Sequence, residues 1–181
     1  KTTVFSFQEV TLGVAPPQPA ELLARRLNYY VKKGELHQIR RGLYARDRGY
    51  DRLELGTKIL MPSYISFETI LVEAGVIFQY YQTIFVASYQ SREIECDGNR
   101  YRFRRLKPEI LLNSAGVENR GNYFAATPER ALLDMLYVTR DYDFTNLRVI
   151  DRAKIYELLP LYKNKRMERK IKAHFEAFDE R

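Results

Sequence analysis

Residues 19–45 read PAELLARRLNYYVKKGELHQIRRGLYA, and this stretch decides the fold of the first part of the chain. Pro19 is placed as a first helical residue, where its missing N–H is not needed. From there Ala20, Leu23, Ala24, Leu27, Tyr30 and Val31 recur at three- and four-residue steps and make one apolar stripe. The opposite side carries Gln18, Glu21, Arg25, Asn28, Tyr29 and Lys32. The spacing predicts a helix to Lys33, with Gly34 just past its end. A β-hairpin is expected next: residues 36–39, a tight Arg40-Arg41-Gly42 turn, then residues 43–45, with Gly42 supplying a positive φ.

Upstream, Ser6 and Glu9 have the spacing of a capping box, and Phe5 and Val10 that of a hydrophobic staple. A short helix is predicted to about Leu12, stopping at Gly13 before the turn at Ala15-Pro16-Pro17-Gln18. Short helix, tight turn, longer helix and basic hairpin follow the order of a winged helix-turn-helix. The helix that usually precedes this unit is not visible. The chain opens on Lys rather than Met, which leaves room for it before Lys1.

Asp47-Arg48-Gly49-Tyr50 is a charged break, and the chain divides there into a DNA-binding unit, 1–48, and a larger domain, 49–181. In the larger part a helix is expected over residues 52–60, ended by Pro62. A second is expected to start at a Ser66 cap and stop at Gly75. Residues 84–87 read as a buried strand. Residues 94–96 and 101–106 flank Asp97-Gly98-Asn99, a strong hairpin signal. A strand over residues 123–126 leads into a helix with Thr127 as cap, Pro128 at N1 and Leu132, Leu133, Leu136 and Tyr137 buried. Two helices, over residues 152–159 and 164–178, close the chain around Pro160. The fold class is α+β: an N-terminal winged helix-turn-helix followed by a mixed α+β domain.

The 181 residues are 45% hydrophobic and 29% charged, which excludes a disordered tail. No apolar run of about 18 residues is present to span a membrane, and residues 1–6 lack the apolar core of a signal peptide. The single cysteine, Cys96, has no intrachain partner, and with His37 and His174 it makes no zinc cluster. A reducing, cytoplasmic setting is expected, with no cofactor. The net charge of +7 is uneven: residues 1–50 hold nine Lys/Arg against four Asp/Glu, and residues 51–181 hold 21 against 19. A polyanion such as DNA or RNA is the expected partner of the first segment.

A recognition helix buries one side and offers polar groups to the major groove. Arg25 suits guanine O6 and N7, and Asn28 suits adenine. Gln18 and Glu21 fall in the first turns, nearest the base edges. Lys32, Arg40, Arg41 and Arg46 suit phosphates, as does the hydroxyl of Tyr29. A second basic strip, Arg100, Arg102 and Arg104, faces one side of a strand while Tyr101 and Phe103 face the other. It suits an acidic partner or a nucleic acid; the alternative is an edge strand protected by charge, paired with Glu93 and Glu95 across the hairpin.

Catalytic patterns are weak. Glu93, Glu95 and Asp97 could gather a metal, but basic neighbours offset their charge. Asp141 and Asp143 share a spacing within a polar stretch, and Glu168-Arg169-Lys170 falls in a charged helix rather than a strand. There is no Gly-rich phosphate loop and no nucleophile elbow. The expectation is a protein that is not an enzyme.

Three ordered motifs resemble one family. Val31-Lys32-Lys33-Gly34-Glu35-Leu36 with Arg40-Arg41-Gly42-Leu43-Tyr44-Ala45 is similar to the wing of AbiEi-type antitoxins. Pro62-Ser63-Tyr64-Ile65-Ser66, followed by a helix ending at Gly75, and Ala126-Thr127-Pro128-Glu129-Arg130-Ala131-Leu132-Leu133-Asp134 are similar to further stretches of it. The resemblance implies an antitoxin of a bacterial type IV toxin–antitoxin, or abortive-infection, system acting in phage defence. It implies that the winged helix binds inverted repeats in the operon's own promoter and represses it, while the C-terminal domain counters a nucleotidyltransferase-like toxin. It carries DNA contact onto Arg25, Asn28, Lys32, Arg40 and Arg41. Two departures stand out: the leading helix is not seen, and Glu21 puts an acid on the reading face. The competing expectation is a protein-interaction module that binds its partner directly through the C-terminal domain, without sequence-specific DNA binding.

Overall fold

The computed structural model describes residues 2–139 and 141–180. Two sheets organise it. The first is a small antiparallel sheet built by β1 (Val4–Ser6), β2 (His37–Arg40) and β3 (Leu43–Ala45), in the order β1-β3-β2. Between β1 and β2 lie α1 (Phe7–Gly13) and α2 (Ala20–Lys32). The capping box expected at Ser6 is formed, with Ser6 Oγ accepting from Glu9 N at 3.1 Å and Glu9 accepting from Ser6 N at 2.6 Å. At the far end of α2, Gly34 takes a φ of 75°, its N–H bonds Val31 O, and Glu35 N bonds Tyr30 O. Those two bonds satisfy carbonyls that the helix end leaves open. The strand at β1 was not foreseen, because three residues are too few to show a period.

Two details of α2 correct the sequence reading. Pro19 is the N-cap rather than the first helical residue, so Gln18 lies in the preceding turn and not in the helix. The apolar stripe is also only half covered. Leu23 and Leu27 are buried, but Ala20 and Tyr30 are exposed, and α1 buries no residue.

The second sheet has six strands in the order β6-β7-β5-β4-β9-β8. They are β4 (Ser63–Ile65), β5 (Thr83–Ser88), β6 (Arg92–Cys96), β7 (Asn99–Arg105), β8 (Val117–Asn119) and β9 (Phe124–Ala126). The β7/β5 and β4/β9 pairs are parallel and the rest antiparallel. Asp97 (φ 50°) and Gly98 (φ 75°) make the two-residue turn of the β6–β7 hairpin, the geometry that Asp-Gly favours there. Helix α3 (Arg52–Ile59) covers one face, where Gly56 leaves room for the ring of Tyr101; a Cβ at that position would lie 3.0 Å from it. Helices α4 (Glu68–Glu73) and α6 (Pro128–Val138) cover the other, the side toward which Arg104 reaches Glu68 and Met135. A single turn, α5 (Pro108–Leu111), and two helices, α7 (Arg152–Leu158) and α8 (Lys165–Asp179), complete this mixed α+β fold, with Pro160 in a 3-10 turn between the last two. No helix among the described residues is long and apolar enough to cross a membrane.

The Ala126–Asp134 motif has a structural reason. Thr127 caps α6, with its Oγ1 accepting from Arg130 N, and Pro128 is at its first position. Asp134, fully buried, accepts from the hydroxyls of Tyr162 (2.6 Å), Ser66 (2.8 Å) and Tyr64 (2.9 Å) and from Arg130 Nε (3.3 Å). Arg130, equally buried, donates to the carbonyls of Ala115 and Ile110, each at 2.6 Å, and to the Tyr64 hydroxyl. Burial pushes the Asp134 carboxyl above its ordinary value, against the pull of Arg130 and the three hydroxyls. Ser66 is therefore not the cap expected of it. The N-cap of α4 is Phe67, at a φ of 56° that a bulky side chain rarely adopts. Its neighbours hold it there, Ser66 bonded to Asp134 and Glu68 paired with Arg104 at 2.6 Å.

Candidate nucleic-acid interface

Helix α2 exposes Glu21, Arg25, Asn28 and Lys32. At about 100° per residue these four fall within about 60° of one another around the axis, on the side away from Leu23 and Leu27. Tyr29 flanks them, half its surface exposed, with Lys33 Nζ lying 4.9 Å from its ring centroid. Gln18 Oε1 accepts from Arg26 Nη1 at 2.7 Å, which leaves its amide hydrogens to donate. Arg26 is the residue that the sequence reading missed, because Gln18 lies in the turn before α2, where helical spacing does not apply.

Arg40 ends β2, Arg41 leads the turn, and Gly42 has the expected positive φ of 82°. Arg46 follows β3 and is exposed. Among the described residues, Arg25, Lys32, Arg40, Arg41 and Arg46 make no ion pair, whereas in the larger domain Lys58, Arg102, Arg104, Arg120, Arg130, Arg152, Lys170 and Lys172 each have an acid beside them. The unit thus presents a helix and a short hairpin turn with uncompensated positive charge.

The second basic strip is different. β7 is an inner strand, with β6 at the edge. Arg102 pairs with Glu93 at 2.6 Å across the hairpin, and Arg104 pairs with Glu68 while its guanidinium stacks on Phe85 and Phe67. Of the three, Arg100, opposite Glu95 in register, is exposed and makes no ion pair among the described residues. As a free cationic strip Arg100, Arg102 and Arg104 are largely neutralised. For Arg102 the reason is an opposite charge directly across the hairpin, and for Arg104 it is Glu68 of α4. Those acids are not drawn together either: Glu93 serves Arg102 and Asp97 serves the hairpin unit, and no group of three or more His, Cys, Asp or Glu converges among the described residues.

Polar ties join the basic unit to the larger sheet. His37 Nε2 of β2 lies 2.8 Å from Asp97 Oδ2, and the Tyr50 hydroxyl donates to the same oxygen at 2.7 Å. Glu54 of α3 accepts from Thr3 N and Oγ1, and Lys58 donates to Val4 O and Glu9. The buried cluster runs continuously from Val4, Ile39 and Leu43 through Tyr50 into Leu55 and Tyr101. Hydrogen bonds from His37, then Tyr50, hold the Asp97 carboxyl below its ordinary value. The folded chain therefore binds that proton less tightly than the unfolded one. Asp97 adds stability that is present above about pH 4 and lost as pH falls through the carboxylate range. Asp97→Asn is expected to lower the urea midpoint at neutral pH, and the gap to the parent chain is expected to close as pH drops below about 4. A gap that is constant over that range would mean that the carboxylate is not the tie.

The fold and this surface define a mixed α+β protein with a basic strand–helix–helix–hairpin unit docked on a six-stranded sheet. No protein-family model matches the chain, and no curated protein matches it either.

Proposed function

We propose that this protein is a sequence-specific, non-enzymatic DNA-binding repressor that acts as an AbiEi-type antitoxin. In this reading the unit 1–48 is a winged helix-turn-helix that binds inverted repeats in its own promoter, and the larger domain counters a nucleotidyltransferase-like toxin. One observation carries the reading: the exposed Arg25, Arg26 and Lys32 of α2, Arg40 and Arg41 at the β2–β3 turn, and Arg46 past β3 lack acidic partners among the described residues. The β1-β3-β2 sheet with two helices between its first two strands supports it, since that order suits a helix entering the major groove beside a hairpin on the backbone. The ordered motifs at residues 31–45, 62–66 and 126–134 supply the antitoxin part of the reading.

The test is binding to the upstream promoter and to scrambled DNA of equal length across a salt series. A preference of about a thousandfold or more is expected of a specific repressor. Equal, strongly salt-dependent binding to both would leave only a basic surface and overturn the repressor reading.

A further inference from the structure

Two cavities meet where α6 ends. They share Tyr137, Val138, Thr139 and Asn164 in their walls and so form one groove, with a wider part of about 670 Å³ and a narrower part of about 180 Å³. Arg104 and Arg105 of β7 line the wider part, and Arg166 and Lys170 of α8 line the narrower. Among the described residues no Asp or Glu lines either part. Arg104 is held by Glu68, and Lys170 by Asp141 at 2.9 Å, a carboxylate that is itself 91% exposed. Arg105 and Arg166 are exposed and have no side-chain partner among the described residues.

Neutral donors stand beside these cations. Ser91 Oγ accepts from Arg105 N, which leaves its own proton to donate. Asn164 uses its Oδ1 to cap α8, which leaves its amide hydrogens. Between the cationic walls Val138 is half-buried, above the buried Leu136 and Met167. The groove lies at the opposite end of β7 from the Asp97 tie, roughly 20 Å away at about 3.3 Å per residue. It is a separate site from the α2 and hairpin surface.

We propose that this groove binds an acidic, extended segment of a partner protein, with carboxylates at Arg105 and Arg166 and an apolar side chain against the half-buried Val138 between them. Arginine forks match carboxylates in geometry as well as charge. A DNA duplex is read by elements that protrude into its grooves, and this surface is concave. Single strands need open ring faces on which bases stack; Tyr137, the one aromatic in the walls, packs against Tyr162 at 5.7 Å between centroids. The proposal stands independently of the DNA-binding reading.

The test uses the full chain and a fluorescein-labelled peptide of Glu-Glu-Leu repeats, followed by anisotropy. The same peptide with glutamine for glutamate and an oligothymidylate serve as comparisons. The glutamate peptide is expected to bind and the glutamine peptide not to. R105E with R166E is expected to weaken peptide binding at least tenfold, R105K with R166K to keep most of it, and R40A with R41A to leave it unchanged. Both groove positions are exposed, and an unchanged melting curve would confirm that the variants fold. Absence of glutamate-peptide binding, or equal binding by R105E/R166E, would overturn the proposal. So would oligothymidylate binding more tightly than the peptide and losing that affinity in the same variant, which would assign the groove to nucleic acid.

Discussion

Asp134→Ala is expected to destabilise the protein by about 3–5 kcal/mol, the usual cost of removing one member of a buried ion pair. The loss exceeds that of one contact because Arg130 is left as a buried cation and three hydroxyls lose their acceptor at once. Against a typical domain stability of about 5–15 kcal/mol, that is a large share. Urea denaturation followed by far-ultraviolet circular dichroism checks it. Tyr162→Phe, which removes a single donor from the same carboxylate, is expected to cost only about 1 kcal/mol. An apolar replacement of both charged groups, Arg130→Met with Asp134→Leu, is expected to recover much of the loss, because nothing charged then remains buried. If Asp134→Ala costs no more than Tyr162→Phe, the network is not what holds β4, α6 and the turn after α7 together.

Arg40→Ala with Arg41→Ala carries the second large effect. These side chains flank the β2–β3 turn without acidic partners among the described residues, so in the proposed function their contribution is phosphate neutralisation. Each phosphate contact adds about 0.9 to the slope of log affinity against log salt, so losing two is expected to flatten that slope by about 1.8. Affinity should fall for promoter and scrambled DNA alike. Arg25→Ala, on the exposed face of α2, is expected to behave differently: a loss of about 1–3 kcal/mol confined to promoter DNA. A uniform loss from Arg25→Ala would move that residue to the backbone, and an unchanged slope in the double variant would remove the hairpin from the interface.

Local signals carried much of the fold. The Ser6–Glu9 capping box, the Asp97-Gly98 hairpin turn, the Thr127-Pro128 helix start and the Gly34 helix end all work within a few residues, and the structure contains each of them. The charge asymmetry between residues 1–50 and the remainder was equally legible, because counting needs no coordinates. The short elements β1, β4 and β8 were not legible, since three residues carry no period that separates a strand from a loop. Ser66 was misread for a related reason. A serine before a helical pattern looks like a cap, and only the approach of α6 shows that its hydroxyl serves Asp134 instead.

By itself, then, the sequence determined the order of helix, helix and hairpin, the mixed α+β class, and which side chains on α2 oppose its apolar stripe. All of these follow from periodicity, capping and turn chemistry along the chain. The tertiary structure decided which cations are free. Arg102 and Arg104 lie only two residues apart, yet Glu93 and Glu68 neutralise them from a neighbouring strand and a distant helix. Arg105 and Arg166, 61 residues apart, line two parts of one groove because β7 ends and α8 begins near the close of α6. A side chain's charge is written in its residue type, but its availability depends on what the fold brings within about 4 Å of it.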